Sequence, residues 1–320
     1  MPPPVRRRSR PIDNFEPADN VSGMNIVVAG ASGWIGRTLV PSLRAQGHQV
    51  SILVRREVRA PEEIAWDPAQ RRLAAAALNE VDAVINLAGA SIAAERWTEV
   101  RKRELQNSRF QSTRTLVDAF SSAPRRPRVL VNISAVGFYG DRGDALLPET
   151  APRGSGFLAE LCEEWERAAF AAESPRTRVV CPRLGVVLGR DGGALAQMLP
   201  VFRKGLGGRL GSGRAWLSWI SLRDVVVALG VLATDVRWRG PVNLVSPAPV
   251  TYADFARLLA QALRRPALLP VPAWALKLRL GEMATAMLLA SQRAEPAKLL
   301  AGGFVFSDPE LGPWLQHELR

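Results

Sequence analysis

The chain has 320 residues, 47% apolar and 22% charged, with 42 basic against 30 acidic side chains and a net charge of +12. That composition supplies a full core and excludes disordered and fibrous classes, and the length fits two lobes or one large domain. The two cysteines, Cys162 and Cys181, have no framework spacing, which excludes a disulfide scaffold and fits a reducing, cytoplasmic setting. The two histidines, His48 and His317, stand near opposite ends with no HExxH or Cys/His cluster, so no metal site is expected. The longest helix-like apolar run, Val225 to Ala233, falls far short of the roughly 20 residues a membrane span needs.

Only four of the basic residues are lysines (Lys102, Lys204, Lys277 and Lys298). An arginine excess suits forked recognition of phosphate. It also follows from GC-rich coding, which favours Arg, Ala, Gly and Pro together, and that reading covers the count better. Residues 1–23 read as an arginine- and proline-rich tail with no apolar stretch behind it, so they are not a secretory signal. They are either a functional arm or an over-extended start before Met24.

From Met24 onward strands and helices alternate. Asn25 to Ala29 is an apolar strand, followed by a glycine-rich turn and a helix from Trp34 to Gln46 with apolar residues at Ile35, Leu39, Val40 and Leu43. Pro41 inside that helix removes one backbone hydrogen bond and predicts a kink. Further strands are expected at 49–54, 63–66, 83–87, 128–134, 178–183 and 240–245. Helices are expected near 98–121, 156–172 and 222–234. This pattern predicts an α/β fold: a doubly wound parallel Rossmann-type sheet of about seven strands. Residues 24–185 form its nucleotide-binding domain, with the strand near 240–246 returning to it. Residues 186–239 and 247–320 form a smaller, mostly helical C-terminal substrate lobe. The glycine-dense stretch 189–213 reads as a mobile segment over a site.

Gly30-Ala-Ser-Gly33-Trp-Ile-Gly36 is the strongest motif. Gly30 makes the tight turn, Gly33 lets backbone approach a diphosphate, and Gly36 lets helix pack on strand. The helix N-terminus then offers free N–H groups and a positive dipole end to phosphate. Ser32, Trp34, Ile35 and Arg37 accompany these glycines as cofactor-contacting candidates. The second strand ends Leu53-Val54-Arg55-Arg56, with no acid to hold ribose hydroxyls. Arg55 suits a 2′-phosphate, which favours NADP as cofactor. Asp67, after the third strand, is a candidate acceptor for the adenine amine.

Those glycines, together with Asn86-Leu-Ala-Gly89 after the fourth strand and Tyr139-Gly140 after the fifth, resemble the extended short-chain dehydrogenase/reductase family. Three stretches narrow the resemblance to its YfcH-like epimerase-family subgroup: Asn86 to Ile92 leading to Arg96-Trp97, Gly192 to Pro200, and Ser291 to Phe304. It covers residues 24 to about 317 and implies NADP binding and a substrate cleft between sheet and C-terminal lobe. It also implies cofactor contacts from Leu87, Ala88 and Gly89, and from Pro182 and Arg183, which should pass near the nicotinamide.

The family's chemistry normally uses a tyrosine with a lysine four residues later. Four residues beyond Tyr139 and Tyr252 stand Gly143 and Ala256, so the pair is missing. On the helix that should carry it, the two positions are Phe157/Leu161 or Leu158/Cys162, depending on register. Tyr139 remains the candidate acid and Ser134 its candidate hydroxyl partner, and packing under the cofactor is the competing role for Tyr139. Glu160, Glu163 and Glu164 read as a solvated helix face and Cys162 as a buried, inert thiol. Ser221 stands where the family often has histidine.

The net charge concentrates in two stretches: residues 95–128 hold nine bases and four acids, and residues 173–214 hold eight bases and two acids. Both lead into the C-terminal edge of the sheet. That placement predicts an electropositive cleft for NADP and an anionic small-molecule substrate, with nucleic acid not expected. The family resemblance also implies a homodimer through the helices beside the sheet as one assembly open to the chain. The functional expectation is an NADP(H)-binding oxidoreductase or epimerase-like protein, the alternative a non-catalytic NADP(H)-binding sensor or scaffold.

Overall fold

A computed structural model describes residues 23–320; the expectations for the tail fall on residues 1–22, outside that range. The strands of the central sheet are β1 (Asn25–Ala29), β2 (Gln49–Val54), β3 (Glu63–Ala65), β4 (Ala83–Asn86), β5 (Val129–Asn132), β6 (Arg178–Leu184) and, after two short strands outside it (β7, Val186–Gly189; β8, Trp219–Ser221), β9 (Gly240–Leu244). They pair in parallel in the order β3-β2-β1-β4-β5-β6-β9. The expected fifth strand is interrupted at Ile133, after which Ser134–Ala135 pairs again with β6. The winding reverses between β1 and β4, so a crevice opens at their carboxyl ends, where folds of this kind take ligands.

Alternation along β1 sorts the core into two layers. Ile26 and Val28 face α1 (Trp34–Ala45) and α5 (Leu222–Thr234). Val27 and Ala29 face α2 (Glu99–Ser122) and the end of α3 (Phe157–Phe170). Pro41 occupies an exposed position inside α1, and the helix runs through it unbroken. The C-terminal lobe packs α4 (Gly193–Arg203), α6 (Tyr252–Leu263) and the last helix, α7 (Leu311–Glu318), around Trp219, Phe202 and Trp314. The expected boundary assigned all of 186–239 to this lobe. Instead Val225, Val226, Leu229 and Leu232 of α5 lie in the sheet core against α1, because the α5 stripe is apolar enough to cover β4 and β5.

Part of the glycine-dense stretch has a steric explanation. A side chain begun at Gly189 would lie 2.6 Å from Cζ2 of Trp34, one at Gly193 would lie 2.7 Å from its Cζ3, and one at Gly192 would enter the indole. These three glycines therefore fold the start of α4 onto Trp34, beside the phosphate turn. Gly192 has extended backbone, so only space requires glycine there. Gly192→Val should lower unfolding free energy by about 1–3 kcal/mol. Chemical denaturation would register this as a lower midpoint at unchanged slope; an unchanged midpoint would contradict the clamp.

Candidate cofactor site and the cluster beside it

The β1–α1 turn is built by close approach. Gly30 has φ +81°, and a side chain there would lie 2.7 Å from the Leu87 carbonyl carbon. One at Gly36 would lie 2.6 Å from Cα of Ala31. Gly33 caps α1 without a side-chain hydrogen bond, and the first turn of the helix holds no acid. The orphan N–H groups of that turn therefore face the crevice with the dipole's positive end uncompensated. Ser32 is exposed, Trp34 and Ile35 are half-buried, and Arg37 is exposed on the next turn.

At the end of β2 two neighbouring arginines differ. Arg56 is clamped on Glu63, with Nη1 donating to Oε2 at 2.9 Å, whereas exposed Arg55 makes no hydrogen bond or ion pair among the described residues. Asp67 is exposed, and its Oδ1 accepts from Ala69 N and Gln70 N at 3.0 and 3.2 Å, so one carboxylate oxygen is used by its own turn. At the end of β4, Asn86 accepts from Ala88 N at 3.1 Å and donates to Asn132 Oδ1 at 2.7 Å, which shapes Leu87, Ala88 and Gly89. The turn, Arg55 and the Leu87–Gly89 loop thus lie at the carboxyl ends of three adjacent strands.

The expected proton-transfer residues are placed otherwise. Tyr139 is 0% exposed: its phenol lies 2.7 Å from Asn243 Oδ1, to which it donates, and accepts from Arg183 Nη1 at 3.0 Å. Burial raises its pKa, and the guanidinium only partly opposes that. Ser134, 1% exposed, donates to Glu166 Oε1 at 2.7 Å. Arg183 reaches the same carboxylate through Nε and Nη2, both at 2.8 Å, and lies 3.5 Å over the Phe138 ring. Burial works against the Arg183 charge, but Glu166 more than offsets it and raises the pKa. Neither hydroxyl is presented to a ligand, and Arg183 does not face the crevice. Pro182 is buried beside Val242 within the sheet. Ser134, Tyr139 and Arg183 thus lie within one buried cluster and Pro182 within the sheet, away from the surface of the crevice.

Sequence reasoning missed the partners. Glu166 and Asn243 meet Ser134 and Tyr139 across 32 and 104 positions. Glu149 accepts from Asn243 N at 2.9 Å and from Lys298 N at 3.3 Å. Lys298 Nζ donates to Pro241 O at 2.7 Å, so the Ser291–Phe304 stretch binds the β9 edge from behind. Ser221 caps α5, accepting from Asp224 N at 3.1 Å. Glu160 and Glu164 are exposed and Glu163 half-buried beside Arg153, as a solvated face requires.

The helix register is settled by Gly137, where a side chain would lie 3.2 Å from Leu158 Cβ and 3.9 Å from Cys162 Sγ. Leu158 and Cys162 therefore face the end of β5, and Phe157 packs edge-on to Trp97 at 5.2 Å. Phe157, Leu158, Ile92 and Ala90 join Leu280, Met283, Ala286 and Met287 of the C-terminal lobe in one apolar cluster. Burial pushes the Cys162 thiol up to about 11 and Cys181 well up also.

Some of the charge in the two basic stretches is used elsewhere. Arg178 donates to Leu232, Ala233 and Trp238 carbonyls at the end of α5, and burial lowers its pKa to about 10. Lys102 pairs with Glu282 and Arg101 with Glu104. Arg209 lines a different cavity, of about 590 Å³, with Arg257, Arg264 and Arg265 on the far side of α6.

A profile of the NAD dependent epimerase/dehydratase family matches residues 26–243, and one described as a domain of unknown function matches 271–318. An epimerase family protein of Mycobacterium tuberculosis is 44% identical over 287 residues, covering 90% of this chain and 95% of its own. The human epimerase family protein SDR39U1 is 38% identical over 296 residues, covering 92% of this chain and 99% of its own. A crystal structure of its isoform 2 with NADPH matches with a TM-score of 0.85 at 36% identity, over 92% of this chain and 99% of that one. MoeE5 with UDP-glucuronic acid and NAD, at 21% identity and TM-score 0.70 over 92% and 96% of the chains, shares the fold. Among the described residues no helix is long and apolar enough to cross a membrane.

Glu166→Leu should cost about 3–5 kcal/mol, because it strands a buried guanidinium, while Glu166→Leu/Arg183→Met should recover most of that. Denaturant titration of these two variants and wild type checks this, and a double variant no better than the single would sink it. The thiols should resist iodoacetamide at pH 8 in the native chain and react fully once it is unfolded, since burial keeps both protonated. Mass spectrometry reads the outcome, and labelling of either native thiol would contradict it.

Proposed function

The chain belongs to the NAD dependent epimerase/dehydratase family, and on that footing we propose that it binds NADP(H) together with a small anionic ligand and performs no tyrosine-driven proton transfer. One observation carries this reading: both candidate hydroxyls, Tyr139 and Ser134, are closed into the buried Arg183–Glu166 pair.

The site suits the cofactor by its donor chemistry. The Gly30–Gly36 turn has the backbone clearance a diphosphate requires, and the unopposed N-terminus of α1 would hold it. Unpartnered Arg55 would take a 2′-phosphate, and no acid stands there to prefer unmodified ribose. Leu87, Ala88 and Gly89 would line the cofactor's path, with Asp67's second carboxylate oxygen open to the adenine amine. Bound there, the nicotinamide would offer hydride exchange. What this chain withholds is an aligned acid: Tyr139 donates its hydrogen bond to Asn243, Ser134 donates its own to Glu166, and Leu158 and Cys162 contribute no cation. The family's usual interconversion of alcohol and carbonyl needs that acid. The reading is therefore of a cofactor-dependent binding protein in a cytoplasmic setting, its two thiols free and buried.

Fluorescence titration with NADPH and NADH is the test of the cofactor. Arg55→Ala should weaken NADPH about tenfold or more, the loss of one charge-assisted contact, and leave NADH nearly unchanged; equal losses would refute the assignment. Turnover is tested by NADPH oxidation with aldehydes, ketones and nucleotide-sugar carbonyls. No rate above background is expected, and a rate abolished by Tyr139→Phe would overturn the reading.

A further inference from the structure

Beside Arg55, a second cation at the crevice has no counter-charge among the described residues. Arg109 projects from α2 against Gly89, where a side chain would begin 3.4 Å from its Cζ. Its Nη1 donates to Ala90 O at 3.2 Å and Leu105 O at 3.1 Å, and its guanidinium lies 5.1 Å from the centre of the Trp165 ring. Those contacts fix the group without neutralising it: no Asp or Glu pairs with it among the described residues. Nε and Nη2 have no protein acceptor, yet neither is among the sealed-off unpaired side-chain atoms, which are Arg101 Nε, Trp238 Nε1 and Arg293 Nε. Each nitrogen therefore keeps some contact with solvent in an otherwise largely desolvated group. A half-buried guanidinium held rigid, with two donors unspent, has the form of an oxyanion receptor.

Beside it stands an apolar wall. Ala90, whose carbonyl Arg109 holds, belongs to the cluster with Ile92, Phe157, Leu158 and Met287, all half-buried. Methionine there lets the wall adapt its shape. We infer that Arg109 is the anchoring cation of a second ligand site, which takes a small amphipathic acid: its carboxylate or phosphate on the guanidinium, its apolar body along Ile92, Phe157, Leu158 and Met287. This rests on the proposed cofactor reading only for the neighbour it names; the receptor itself is made of residues outside the phosphate turn.

The test is calorimetric titration of the full chain, with and without NADPH, using hexyl phosphate, hexanoate, hexan-1-ol and inorganic phosphate. At least one amphipathic anion should bind about tenfold tighter than hexanol and inorganic phosphate, the margin expected of one charge-assisted contact added to apolar burial. Hexyl phosphate against hexanoate identifies the headgroup. Arg109→Gln should bring anion binding down to the hexanol level, and Arg109→Lys should retain part of it, while both variants keep wild-type melting and NADPH affinity. Three results overturn the inference: neither anion exceeding hexanol, Arg109→Gln binding the anion as wild type does, or Arg109→Gln losing NADPH instead, which would make the guanidinium a cofactor contact. If Arg109→Gln fails to fold, Arg109→Lys decides by the same comparison. Failure of NADPH to bind wild type at all would sink the cofactor reading alone, since the anion titrations run without it.

Discussion

A guanidinium and a carboxylate taken out of water together set the geometry of everything at the end of β5. Arg183 and Glu166 are 3% and 4% exposed and meet through two parallel hydrogen bonds of 2.8 Å. Desolvation makes such a pair costly unless remaining lone pairs and protons are satisfied. Ser134, Tyr139 and the Glu149 carbonyl supply that satisfaction, and Phe138 lies against the guanidinium face. The pair therefore fixes β6 to α3, and both to the turn after β5. Neither hydroxyl can leave without exposing a buried charge.

The C-terminal segment completes this arrangement from the other side. Asn243 receives the Tyr139 proton and spends its amide on Leu147 O and Glu295 O, 2.9 and 2.8 Å away. Arg293–Ala294 pairs with Leu146–Leu147, and Ser291 donates to Gly143 O at 2.6 Å. The stretch from Ser291 to Phe304 thus serves as backing for the tyrosine rather than as a lid. Residues 280–287 of the same segment close the apolar wall over Phe157 and Leu158. One contiguous segment both immobilises the phenol and shapes the space beside the crevice.

Local periodicity made the fold legible. Apolar strand runs and the 3.6-residue stripe of α1 produce the sheet and its layers directly, and the glycine turn is visible because its spacing has one steric purpose. The cluster was not legible, for a physical reason. Ser134, Tyr139, Glu166, Arg183 and Asn243 look individually like surface or catalytic residues; only pairing across long sequence distances turns them into core. A weak signal existed, since Glu166 lies one turn after buried Cys162 on the inward face of α3, and Arg109 one turn after buried Leu105 on that of α2. A charged residue in a buried stripe requires a partner, and the sequence does not say which. The glycines at 189–193 point the other way: their spacing suggests freedom, and in the structure they are clearance for Trp34.

The same distinction governs the charge. A net +12 suggests a field, yet a cation's function depends on what neutralises it. Arg178 is spent on helix carbonyls, Arg183 on Glu166, Arg56 on Glu63 and Lys102 on Glu282. Among the described residues, Arg55 at the end of β2 and Arg109 beside the end of β4 are cations at the crevice that such pairing leaves without a counter-ion. They differ in burial, and burial decides what each can recognise. Exposed Arg55 keeps its water and is suited to a doubly charged phosphate, which attracts it across a high-dielectric surface. Half-buried Arg109 has lost much of its water, which lowers its pKa, and stands beside apolar side chains. An anion that also buries hydrocarbon gains there from both the charge and the wall, whereas a small hydrated ion gains from the charge alone.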